Sequence, residues 1–208
     1  VLRAVAERLR GSAMGAANVI YLSGQVGVGG GIVIDGELLK GAQGYGGEVG
    51  HMRVNPQGRE CRCGAIGCWE TEIGEPAVRA ATGAADSESV AHIVARAESG
   101  DAVALAGLRG VGDWIAIGVA NLVHIFNPDV VVFGGALREV LPVVRDQVED
   151  MLTGSLPAPG EHVILAAPAL GDDSTLLGAA EAAFAPLLDD PVGAVVPAAR
   201  GRRSAVTA

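Results

Sequence analysis

The sequence predicts an α/β layered domain. Short β-branched strands alternate with helical stretches after an initial hairpin, half of the 208 residues are hydrophobic, and no repeat of fixed period runs through the chain. The first stretch, Val1 to Leu9, places Leu2, Val5, Ala6 and Leu9 at helical spacing, with Arg3, Glu7, Arg8 and Arg10 between them. Asn18–Ser23 and Gly31–Asp35 are β-branched runs on either side of a glycine-rich turn and read as a hairpin. Asp35-Gly36 is a second turn, with Leu38 and Leu39 beyond it. Residues 41–75 are glycine-rich and loop-like, and hold every cysteine.

Helices follow. Glu75 to Ala81 is a short helix with Pro76 in its first turn. Ser87 to Ser99 reads as a second helix with a serine cap, stopped by Gly100. Asp101 to Phe126 is a long one, with Trp114, Ile115, Leu122 and Ile125 as its apolar stripe and Asn127-Pro128 as its stop. Asp129–Phe133 is a fully apolar strand that ends in Gly134-Gly135. Leu137–Leu152 is helical, His162–Ala166 is a strand, and Leu176–Leu188 is a closing helix after the turn Gly171-Asp-Asp. Residues 189–208 are rich in Pro, Ala and Arg without apolar period, and are expected to form a disordered tail.

Composition narrows the function classes. Fifteen Lys and Arg stand against 24 Asp and Glu, a formal net charge of −9, so the chain lacks the basic surface that DNA or an anionic membrane requires. No apolar run reaches the roughly 18 uncharged residues of a membrane span. The first residues do not follow the charged, apolar and small pattern of a secretory signal. Three cysteines cannot all pair with one another, which argues against a secreted disulfide scaffold and for a cytoplasmic setting. A helix at Val1 with nothing before it leads to the expectation that the chain begins partway through something larger, a trimmed or processed start being the alternative.

The densest chemical signal is His51 followed by Cys61, Cys63 and Cys68. One imidazole and three thiolates are the four ligands of a closed tetrahedral zinc site, and the histidine accounts for the odd cysteine count. Gly64 and Gly67 let the backbone turn tightly enough for Cys63 and Cys68 to converge. Four ligands leave no vacant position, so the expected role is structural. Glu48 and Glu70 flank this cluster. Carboxylates pinned beside an imidazole are good acceptors for polyol hydroxyls, although surface carboxylates or helix caps would show the same spacing. His51 has two ring nitrogens, one for metal and one for a ligand. His92, His124 and His162 read as ordinary packed or surface residues.

The turn Gly24-Gln-Val-Gly27-Val-Gly29-Gly30-Gly31 has enough consecutive amides to cradle a phosphate, yet it matches neither the P-loop nor the dinucleotide fingerprint. A tight hairpin explains it as well. Gly134-Gly135 lies at a strand's carboxyl end, where ligands of open α/β sheets gather, but a strand-to-helix turn needs the same residues.

Taken together, Val26–Val33, Gly47–His51, Cys61–Glu70, Asn127–Gly135 and Gly171–Ala180 resemble the ROK family (repressors, open reading frames and sugar kinases), over about residues 1–185. The resemblance implies an actin-like, ribonuclease-H-like ATPase lobe over residues 1–188 with an inserted zinc loop at about 47–72. It implies structural Zn2+ at His51, Cys61, Cys63 and Cys68, and sugar hydroxyls held by Glu48, His51 and Glu70. In kinase members Gly27, Gly29, Gly30 and Gly31 would face nucleotide phosphates, with Gly134 and Gly135 near the adenosine.

Two departures bear on activity. Family kinases carry their catalytic aspartate, in an Asn-Asp pair, and their first phosphate loop in a part of the sequence that would precede Val1. Val26 also stands where they carry a threonine that reaches phosphate, and valine has no hydroxyl to donate. The expectation is therefore the effector-binding and oligomerisation lobe of a ROK-type transcriptional regulator, with no catalytic residue of its own. Its ligand would be a small sugar or sugar phosphate, it would contact DNA only through an upstream domain and no membrane, and it would form a homo-oligomer. The alternative is the corresponding lobe of an ATP- and Mg2+-dependent hexose kinase; a third possibility is a solitary zinc lobe with no activity.

Overall fold

A computed structural model of the protein describes residues 1–155, 163–191 and 193. In chain order its elements are α1 (Leu2–Arg10), β1 (Val19–Gly24), β2 (Val28–Ile34), β3 (Glu37–Leu38), a 3-10 turn at Val49–His51, α2 (Trp69–Ile73), α3 (Glu75–Thr82), α4 (Val90–Glu98), α5 (Ala102–Phe126), β4 (Val130–Gly135), α6 (Ala136–Ser155), β5 (Ile164–Ala166), a second 3-10 turn at Gly171–Asp173, and α7 (Ser174–Asp189).

The five strands form one sheet in the order β3-β2-β1-β4-β5. The hairpin pairs antiparallel, with Ile20 opposite Ile32, and β1 pairs parallel to β4, with Leu22 opposite Phe133. β5 continues the parallel half, with Leu165 opposite Val131. Alternation along each strand sorts the side chains onto two faces. Ile20, Leu22, Ile32, Val131 and Phe133 enter the main core beneath α2 to α6, whereas Val19, Tyr21, Val33, Val130 and Val132 pack with Ala4 and Ala13 on the other face. Helix α1 lies on that second face and α7 packs on α1. The approach is close because Gly31 and Gly178 lack side chains: a Cβ at Gly31 would lie 2.8 Å from the Ala4 Cβ, and one at Gly178 would lie 1.9 Å from the Leu2 carbonyl.

Glu7 is fully buried on α1 and accepts from the Ser12 amide and hydroxyl and from the amides of Ala169 and Leu170. Four donors offset the desolvation of the carboxylate and fasten α1 to the segment that leads into α7. The hydrophobic spacing of α1 does not single this residue out.

Helix α5 is long and apolar enough to cross a membrane by length and composition. Here it is a core helix: Leu108, Val111, Ile115, Val119 and Leu122 are buried among the other helices, and Gln147 of α6 donates to its Arg109 carbonyl and Asp113 carboxylate. Of the expected stripe, Ile115 and Leu122 are buried and Trp114 partly so, but Ile125 is 67% exposed near the carboxyl end.

Several boundaries differ from the sequence expectation. The turn between β1 and β2 is shorter than the glycine run: Gly29, Gly30 and Gly31 lie within β2, paired with Ser23, Leu22 and Tyr21. Ladder bonds are made by backbone groups alone, so glycines can fill a strand that lies close beneath other backbone. The Gly30 amide donates to the Gly47 carbonyl at 3.1 Å, an approach that a side chain at Gly30 would block. Helix α4 starts at Val90 because the Ser89 side chain caps the His92 amide at 3.2 Å. The region 41–75 contains the Val49–His51 turn and α2, both too short to show a period. His162 lies outside the described residues, as does nearly all of the expected tail.

Candidate functional site

The cysteine loop folds back on itself through two small bridges, Arg53 with Cys68 and Glu60 with Ile66. Gly64 (φ 88°) and Gly67 (φ 75°) both adopt the left-handed conformation. At Gly67 a Cβ would lie 1.5 Å from the Asn55 carbonyl oxygen, so no other residue fits there. The Cys61 amide donates to the Ala65 carbonyl and the Gly64 amide to the Cys61 carbonyl, which turns Cys61 and Cys63 toward Cys68.

The ligand atoms of His51, Cys61, Cys63 and Cys68 all lie within 4.8 Å of one another. The Cys63 and Cys68 Sγ atoms are 3.6 Å apart, and Cys61 Sγ is 3.7 Å from His51 Nδ1. A tetrahedral ion with bonds of about 2.3 Å to sulfur has edges of roughly 3.7 Å between its ligands, so the four residues fit a closed tetrahedral metal site.

Protonation sets the chemistry of this cluster. The Cys63 amide lowers the Cys61 pKa, but Glu70, burial and the neighbouring thiols outweigh it and push that thiol up to about 12. Cys68 is raised by burial first and then by Cys63. Cys63, which is exposed, is lowered by the Ala65 amide and then by Cys61 and Cys68. A metal would have to displace protons from the first two.

The two carboxylates flank the cluster from opposite sides. Glu48 Oε2 stands 4.0 Å from His51 Nε2, the nitrogen turned away from the cysteines. Glu70 accepts from Cys61 Sγ at 3.0 Å through Oε1, and from the Val28 amide at 3.4 Å through Oε2. Glu48, His51, Cys61 and Glu70 thus form one connected series of side chains. They do not share one cavity: Glu70 borders a depression of about 190 Å³ with Cys61, Arg62 and Val26, whereas Glu48 borders a cleft of about 460 Å³ with Ser23, Gln25, Gly29 and Gly30.

That cleft lies at the carboxyl end of β1, and such strand ends are where open α/β sheets bind ligands. It continues past Arg3 and Tyr21 into a second cavity of about 190 Å³ bordered by Gly135 and Arg138. Burial raises the Tyr21 pKa, and the Arg3 guanidinium opposes the shift.

The glycines divide by place. Gly27 closes the turn under Glu70, and a Cβ there would lie 2.8 Å from Oε2. Gly29 faces open space and Gly30 packs against Gly47 and Val49, while Gly31 is covered by α1. Gly134 packs on the Tyr21 hydroxyl, and Gly135 (φ 62°) makes the strand-to-helix turn. The sequence reading did not single out Arg3, Tyr21, Ser23, Gln25, Arg138 and Thr175. Only their positions at strand ends and helix starts, where the sheet opens, could have pointed to them.

Residues 2–185 match the model of the ROK family. The chain is 29% identical over 188 residues to the xylose repressor of Bacillus spizizenii, covering 89% of this chain and 49% of the repressor. Among solved structures it resembles a ROK family transcriptional regulator, a homolog of the E. coli MLC protein, at 30% identity and a TM-score of 0.78, covering 86% of this chain and 48% of that one. It also resembles a ROK family glucokinase from Streptomyces griseus in complex with glucose and AMPPNP, at 31% identity and a TM-score of 0.76, covering 87% of this chain and 65% of the kinase. The chain thus spans about half to two thirds of the length of these three proteins.

Proposed function

The chain belongs to the ROK family, and from that premise we propose that it is the sugar-binding and oligomerisation lobe of a ROK-type transcriptional regulator. The observation that carries the sugar reading is the series Glu48, His51, Cys61, Glu70, in which two carboxylates are held on either side of a metal-type cluster. In this reading zinc held by His51 Nδ1 and the three thiolates fixes the loop. His51 Nε2 then donates to a sugar hydroxyl, and the carboxylates accept from hydroxyls, Glu48 in the cleft and Glu70 in the depression on the other side of the cluster. Both a xylose repressor and a glucose-bound glucokinase are among the similar proteins, which supports a small aldose as the ligand class.

Val26 favours regulator over kinase. It is 68% exposed at the tip of the β1–β2 turn and offers no hydroxyl to a phosphate, and the glycines behind it are engaged in the ladder. Sugar binding in a regulator acts by preferring one arrangement of a protein's lobes, which reorients a DNA-binding head located elsewhere in the protein. The net charge of −9 suits a lobe that does not itself touch DNA.

The test is calorimetric titration of the chain with D-glucose and D-xylose, beside an ATP-turnover assay. Binding of at least one sugar is expected, weakened by about 1–3 kcal/mol in Glu70→Ala, which loses a partly buried acceptor for a sugar hydroxyl. Equal sugar binding by Glu70→Ala would remove that residue from the site. Sugar-dependent ATP turnover would replace the regulator reading with the kinase one.

A further inference from the structure

The three cysteines differ in what surrounds them. Cys61 is buried and its sulfur is engaged on two sides: it donates to Glu70 Oε1 at 3.0 Å and lies 3.7 Å from His51 Nδ1. Cys68 is fully buried at the amino end of α2, directly before Trp69. Cys63 is exposed, and its Sγ lies 3.6 Å from that of Cys68. A disulfide holds its sulfurs at about 2.0 Å, so this pair has roughly 1.6 Å to close, which small rotations of the two side chains cover. The backbone between them is already folded back. Gly64 and Gly67 are left-handed, the Cys61 amide bonds to the Ala65 carbonyl, and Glu60 bridges to Ile66. Little chain entropy is left to lose when that loop is closed. Cys61 and Cys63, with one residue between them, would have to close a far tighter ring.

We propose that Cys63 and Cys68 are an oxidative modification site, at which a peroxide joins them in a disulfide and so removes two of the four ligands of the metal-type cluster. Exposure makes Cys63 the first sulfur to react. It attacks one peroxide oxygen, the O–O bond breaks, Cys63 becomes a sulfenic acid and one water leaves. The Cys68 sulfur then attacks the Cys63 sulfur, and its proton departs with the sulfenic hydroxyl as a second water. Two thiols lose two electrons in all, and hydrogen peroxide gains them. Where the pair starts as metal-bound thiolates, the two protons come from solvent. His51 and Cys61 are left, and two ligands do not make a closed tetrahedral site, so the ion is released. The release rests on the zinc reading above; the disulfide does not.

The experiment exposes the whole folded chain to hydrogen peroxide, once freed of metal and once loaded with zinc, then alkylates free thiols and digests with trypsin. Cleavage after Arg59, Arg62 and Arg79 puts Cys61 in the peptide 60–62 and both Cys63 and Cys68 in the peptide 63–79. The expected product in both samples is the 63–79 peptide, lighter by two hydrogen atoms and free of alkyl groups, beside an alkylated Cys61. The loaded sample should release one zinc ion for each disulfide formed, read with a chromogenic chelator, and phosphine reduction followed by added zinc should reload it. In Cys68→Ser the second sulfur is gone, and Cys63 should be captured as its sulfenic acid by a cyclic diketone. If that variant misfolds, the peptide map of the unaltered chain carries the test.

The proposal is overturned if both cysteines stay alkylatable after peroxide, if the main cross-link joins the 60–62 and 63–79 peptides, or if the oxidised chain keeps its zinc. A chain that forms the disulfide but holds no zinc beforehand would sink the metal reading and leave the modification site standing. A chain that holds zinc and forms no disulfide would do the reverse.

Discussion

The chemistry of this chain is concentrated in a few side chains whose protonation the fold has already adjusted. Cys61 is held as a thiol by Glu70, by burial and by its sulfur neighbours, against the pull of the Cys63 amide, with a pKa pushed up to about 12. Zinc uptake near pH 7 is therefore expected to release protons, read as a heat that changes between two buffers of different ionisation enthalpy, and the affinity should fall as pH falls. Cys68→Ser should weaken metal binding by at least about tenfold, the lower end of what even the loss of a supporting residue costs such sites. The metal-free fold has an opposite sensitivity. Because the folded thiol has the higher pKa, its stabilising effect is present below the free-thiol pKa of about 8.5 and is lost as pH rises toward the folded value. Melting of metal-free protein between pH 8 and 11 measures this. At this scale the sequence was most legible: His51 and the three cysteines were identifiable by type and spacing, and the structure brings their ligand atoms within 4.8 Å of one another. Arg3 and Arg138 were not identifiable, because an arginine on a helix looks the same whether it faces solvent or a cleft.

At the scale of elements, local signals and tertiary packing compete most openly at Gly118. In the middle of α5 a glycine costs about 1 kcal/mol against alanine, so propensity alone would make Gly118→Ala stabilising. The added Cβ would lie 2.1 Å from the Trp69 ring, whose Nε1 donates to the Trp114 carbonyl at 2.7 Å and whose side chain is fully buried. Overpacking of a rigid ring against backbone wins, and Gly118→Ala is expected to lose about 1–3 kcal/mol in urea unfolding. A gain in stability would mean that α2 can shift away from α5. Helices with strong caps were read within a few residues: Ser89 on α4 and Asp101 on α5, the latter accepting from the amides of Val103 and Ala104. The end of the β1–β2 turn was not, since a glycine run carries no side-chain period to mark where pairing resumes.

For the whole molecule, the question is how the cysteine loop depends on the body of the fold. Trp69, Ile73 and Val49 anchor the loop in the main core, yet the sheet and the packing of α5 on α6 do not pass through it. On the proposed zinc reading, chelation should therefore lower the melting temperature and change the near-ultraviolet signal of Trp69 while most of the far-ultraviolet helical signal remains. Complete unfolding on chelation would show that the loop nucleates the domain. The second sheet face is held differently. Glu7 joins α1 to the segment before α7, so that α1, α7 and the wall bearing Arg3 and Thr175 behave as one unit.

The amino-acid sequence by itself determined the α/β class, the order of the main elements, the four residues of the metal-type cluster and the family to which the chain belongs. Each of these is written in local periods or in short, fixed spacings that survive without knowledge of the fold. The tertiary structure alone decided that Glu48 and Glu70 border different cavities, that Gly29 to Gly31 pair as strand, that Glu7 is a buried fastening, and that two arginines 135 positions apart in the chain border one cavity. Those facts depend on which distant backbones come into contact, and a local pattern of residues does not encode that.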